Sequence, residues 1–119
     1  MFAGITLAAV PVLAHHSFAA EYDSSASVAI KGTVTKVEWT NPHSYVYVDV
    51  KDVSGNVVNW AVEGSPNTLR RTGFTRDLMK QGDTVTINGW KARDGASRMA
   101  ARDVTFANGN KMYFGPTAQ

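Results

Sequence analysis

Between Ser44 and Lys51 apolar and polar side chains alternate one for one, with Val46, Val48 and Val50 on one face and Tyr45, Tyr47 and Asp49 on the other. Successive side chains of an extended chain point to opposite sides, so this pattern predicts a strand with one buried face. The parity returns in Val58, Trp60 and Val62 after the turn Asp52-Val53-Ser54-Gly55-Asn56, and the two runs predict an antiparallel hairpin. An all-helical chain is thereby excluded.

Upstream, Val28, Ile30 and Val34 share one face, after which the apolar phase slips by one residue to Val37 and Trp39. Such a slip implies a bulge or bend, with Gly32 and Lys36 as candidate positions. Downstream, Ser65-Pro66 offers a helix cap followed by proline, and Gly73 stands where a terminal glycine would end a short helix through Leu69 and Arg71. Another turn is expected over Thr75–Lys80, then the Gln81-Gly82-Asp83 turn and a fourth strand through Val85 and Ile87 to Gly89 or Trp90. Asp94-Gly95 turns the chain into a fifth strand, about Arg98 to Phe106, and Asn108-Gly109 leads to a last short strand around Met112–Phe114. The expected fold is mainly β: a small OB-fold-like five-stranded barrel with one short helix between strands 3 and 4. A bent first strand suits it, because closing five strands requires that strand to pair on both sides. A β-sandwich or open meander is the alternative arrangement.

Residues 1–14, MFAGITLAAVPVLA, carry no charge. The run is shorter than the roughly 20 apolar residues of a membrane-spanning helix. Its ending, Val12-Leu13-Ala14, suits signal peptidase, so we expect an export signal cleaved after Ala14, although no basic residue precedes it. A buried amino-terminal helix or strand is the competing reading. Residues 15–27, HHSFAAEYDSSAS, show neither a 3.6 nor a 2.0 apolar period and read as a flexible, exposed tail, which leaves 28–119 as the folded domain. The expected address is periplasmic or secreted, with no stable membrane span after cleavage.

The 12 basic and 10 acidic residues are spread along the chain, which points to no nucleic-acid partner. With no cysteine, disulfides, thiolate nucleophiles and iron–sulfur ligation are excluded. No nucleophile elbow, metalloprotease helix or phosphate-binding glycine loop is present, and Glu38, Asp49 and Glu63 show no spacing that sets two carboxylates across a substrate. No catalytic signature remains.

The histidines are His15, His16 and His43. If Ala14 is the last residue removed, the amine and imidazole of His15 form a chelate, and His43 supplies a third nitrogen. Nitrogen ligands in a tetragonal plane suit Cu(II), so copper is the expected cofactor, with His16 as a substitute or outer partner. The thirteen residues 15–27, extended, span about 43 to 47 Å, enough to reach across a domain. His43 lies on Trp39-Thr40-Asn41-Pro42-His43, and Pro42 stiffens this connection. A solvated His-His pair and a His43 that merely serves its turn are the plain alternatives. Trp39, Asn41, Tyr45 and Tyr47 are candidate ligand-binding residues, and Trp39, Tyr45, Tyr47, Trp60 and Trp90 a candidate stacking platform, although Trp60 shares the parity of core positions.

His15-His16-Ser17-Phe18 after an apolar run, Gly32-Thr33-Val34, Trp39-Thr40-Asn41-Pro42-His43 and Gln81-Gly82-Asp83-Thr84-Val85 with Gly89 resemble a family of small exported bacterial proteins carrying a domain of unknown function. The resemblance covers nearly the whole chain and implies an export signal, a mature start at histidine and a small β-barrel. In strand order the chain is also similar to periplasmic bacterial OB-fold proteins, which implies binding rather than chemistry. The expected function is thus a small periplasmic copper-binding protein. The alternative is a metal-free ligand- or protein-binding module of the cell envelope, or an envelope assembly subunit with a stable protein partner.

Overall fold

The computed structural model describes residues 18–40, 43–65 and 76–115. Its elements are β1 (Tyr22–Glu38), β2 (Ser44–Lys51), β3 (Val57–Gly64), a 3-10 turn (Arg76–Leu78), β4 (Thr84–Ala92), β5 (Arg98–Phe106) and β6 (Lys111–Tyr113). The fold is mainly β, as expected. The strands form one sheet in the order β3-β2-β1-β4-β5-β6, with an additional parallel pairing of β3 to β5. To the five expected barrel strands β6 adds the short last strand expected around Met112–Phe114: β3 meets β5 at Arg98–Ala100, and β6 takes Asp103–Thr105 further along it.

The bend in β1 falls where the apolar phase slips. Its first part pairs with β4 as far as Thr33↔Thr84, and its second part pairs with β2 from Thr33↔Asp49 onward. The register shift between Val34 and Lys36 makes Thr35 the extra residue, and its hydroxyl donates to the Tyr47 carbonyl at 3.2 Å. Gly32 serves the crossing in another way. A Cβ there would lie 2.0 Å from the Asp49 carbonyl oxygen, so only glycine lets the two backbones approach.

The expectation of an exposed tail over 15–27 needs correction over its described part. Residues 18–21 make one helical turn and β1 starts at Tyr22, six residues earlier than the apolar pattern suggests. Tyr22 is buried and forms a second small core with Ala92 and Ala100, against which Phe18 and Trp90 pack. The ring of Phe18 meets Trp90 edge-on at 5.7 Å, while Arg93 donates through Nε to the Ala19 carbonyl at 2.6 Å. Between Tyr22 and Ser27 the β1–β4 register shifts. Asp23 there accepts from the amide and hydroxyl of Ser25, so the segment is ordered without showing a two-residue period.

The helix expected from Ser65 to Gly73 lies largely outside the described residues; the 3-10 turn at 76–78 falls where a further turn is expected. The Asn108-Gly109 turn forms as expected, with Gly109 at φ 90° and the Phe106 amide donating to Asn110 at 2.8 Å.

The main core gathers Ile30, Val34, Val46, Val48, Val62, Met79, Val85, Ile87, Met99, Val104, Met112 and Phe114. Asp103 is buried beside it, accepting from Asn88 at 2.9 Å and from Arg102 at 2.9 Å. Burial alone would push its carboxyl up, but these bonds and the Lys111 charge hold it below the ordinary value. Because this core is apolar and continuous, the domain is expected to fold without metal. The metal-free protein should show a strand-rich circular dichroism spectrum and a single cooperative melt. A metal-free protein found unfolded by circular dichroism would contradict this.

Candidate functional site

The β1–β2 connection is cinched at its base. The Thr40 hydroxyl donates to the His43 carbonyl, and the buried Ser44 hydroxyl donates to the Thr40 carbonyl at 3.1 Å. His43 is thus carried on a tied turn at the entrance to β2. Its side chain is 58% exposed, and Nδ1 lies 3.2 Å from Oε1 of Glu63, whose own side chain is only 13% exposed.

Glu63 sits near the end of β3, opposite Tyr45 on β2 and Ala100 on β5. The Tyr45 hydroxyl donates to the same Oε1 at 3.3 Å. On another side stands Tyr22, whose buried hydroxyl has no hydrogen-bond partner of proper geometry. Burial first, then the Glu63 carboxylate beside it, push the Tyr22 hydroxyl's pKa up; burial and the Glu63 charge do the same for Tyr45. Both phenols therefore stay protonated beside one carboxylate, and Tyr45 donates to it. The neighbouring cation, Arg98, lies over the Tyr22 ring at 5.5 Å and is engaged by Glu21 at 3.4 Å and Asp94 at 3.2 Å.

Of the residues singled out in the sequence, the structure brings His43 and Tyr45 together. His15, His16 and Asn41 lie outside the described residues. Tyr47 faces Lys36, whose Nζ is 5.9 Å from its ring centroid. Trp39 packs edge-on against Phe114 at 6.0 Å, Trp60 packs against the main core, and Trp90 against Phe18. The three tryptophans are partly buried and each is engaged in packing. Among the described residues no three His, Asp or Glu side chains gather as a metal-ligand set; the nearest approach to one is His43 with Glu63. A shallow hollow of about 290 Å³, lined by Ser27, Val28, Ala29, Asn88, Gly89 and Arg102, shares no residue with this group.

Glu63 and Tyr22 are the members that sequence spacing misses. Glu63 is recoverable from the hairpin: once Lys51 is set against Val57, counting back puts Tyr45 opposite Glu63. Tyr22 gives no such signal, because the shift before Ser27 hides its strand.

The molecule is thus a small β protein with an imidazole–carboxylate–phenol cluster where β2, β3 and the start of β1 meet. The chain belongs to a family of unknown function, DUF6152, whose model matches residues 4–101. No match was found among curated proteins. No helix among the described residues is long and apolar enough to cross a membrane.

Proposed function

We propose that this is a small periplasmic copper-binding protein with an OB-fold-like barrel, which holds Cu(II) through the amine and imidazole of a mature amino-terminal His15 and the imidazole of His43. The barrel reading is supported by the circuit of pairings, β1 to β2 to β3 to β5 to β4 and back to β1. The copper reading is carried by one observation: Tyr22 stands beside the carboxylate that contacts His43. Tyr22 follows His15 by seven residues, a span of at most about 25 Å, so the tail need not be long and loose to meet His43. Export and cleavage after Ala14 supply the free amine that the site requires.

Every nitrogen ligand must be unprotonated to bind, so affinity falls steeply between about pH 7 and pH 5. The experiment is intact-mass determination of the exported protein, followed by copper titration under electron paramagnetic resonance. A mature start at His15 is expected, with His43→Ala weakening copper by more than about tenfold, or about 1.4 kcal/mol. A start elsewhere, or unchanged affinity in His43→Ala, counts against the site.

A second reading is a metal-free envelope module that docks a protein. It is favoured by Val53, fully exposed, and Val57, 58% exposed, at the tip of the β2–β3 hairpin.

A further inference from the structure

We infer that Glu63 is a positioning residue that fixes the tautomer of His43, holding the proton on Nδ1 and leaving Nε2 as the nitrogen offered to a metal. This rests on, and deepens, the copper reading above.

A neutral imidazole has one donor and one acceptor nitrogen, and an ionised carboxylate only accepts. With Nδ1 3.2 Å from Oε1, the contact is favourable only when Nδ1 bears the hydrogen. Glu63 is itself held in place: Tyr45 donates to the same oxygen, its side chain is largely buried, and both flanking strands are paired at this level. Neutral phenols surround the carboxylate, while Arg98 is engaged by Glu21 and Asp94. Its charge is therefore available to the imidazole, and a carboxylate behind a histidine both orients the ring and raises the basicity of the far nitrogen. The tied turn from Thr40 to Ser44 keeps the backbone of His43 in register with that partner.

The test is long-range proton–nitrogen correlation spectroscopy of the metal-free, ¹⁵N-labelled protein at about pH 8, where imidazoles are neutral. His43 is expected to show the Nδ1–H form, to keep it in Glu63→Gln, whose amide carbonyl still accepts, and to lose it in Glu63→Leu. Copper affinity should fall about 10- to 100-fold in Glu63→Leu and less in Glu63→Gln. A merely structural Glu63 would alter melting temperature without altering the tautomer. An Nε2–H form in the wild-type protein overturns the inference whether or not copper binds, and needs no variant to fold. An Nδ1–H form that vanishes in Glu63→Leu, in a protein whose copper spectrum carries no His43 nitrogen, upholds the positioning role and defeats the copper reading instead.

Discussion

Phe114→Ala is expected to destabilise the domain by about 3–5 kcal/mol, the range for removing a fully buried aromatic side chain. The residue follows the shortest strand, close to the end of the chain, yet it has no exposed surface and belongs to the main core. Its backbone closes the structure as well: its amide donates to the Arg102 carbonyl at 3.0 Å, and its carbonyl accepts from Ser65 at 2.8 Å, beyond the end of β3. Trp39 leans on the ring from one side, and Gly64 touches it so closely that a Cβ there would lie 2.2 Å from Cε2. Gly64→Ala alone should therefore cost about 1–3 kcal/mol through overpacking. In the Phe114→Ala background most of that cost should vanish, since the colliding ring is gone; neighbours that share one space are not additive. Urea unfolding of the four forms measures this through the midpoint at constant m-value. A Phe114→Ala loss under about 1 kcal/mol, or simple additivity with Gly64→Ala, would show that the Phe114 ring does not pack as described.

Much of the fold is legible because a half-buried strand writes itself as a two-residue period. The Ser44–Lys51 run, its partner around Trp60 and the glycine turns at Gly55 and Gly109 all appear where the side-chain pattern puts them. The first strand is legible only from Val28. Its earlier part pairs at Tyr22, leaves the ladder around Asp23–Ser25 and returns at Ser27, so no period survives and an ordered segment reads as a tail. The site divides in the same way. His43 stands out by its chemistry and its stiff loop, and Tyr45 by its place on the outer face of β2. Glu63 is eighteen residues from Tyr45 and becomes its neighbour only through hairpin register. Trp39, equally prominent in the sequence, is taken by packing against Phe114.

Acetylating the amino group of the form that begins at His15 is expected to weaken copper binding by more than about a hundredfold, or about 2.8 kcal/mol. Acetylation keeps every imidazole, and every described contact around Glu63, but removes the amine nitrogen as a ligand. No histidine substitution separates these two contributions. Charge changes little and the fold not at all, so a difference reports the amine alone. The deciding measurement is a copper titration, with electron paramagnetic resonance spectra, of the form beginning at His15 beside the same form with its amino group acetylated. The account predicts one tight Cu(II) with three nitrogen ligands in the first and a weak, spectrally different ion in the second. Equal affinity and identical spectra in both would contradict it.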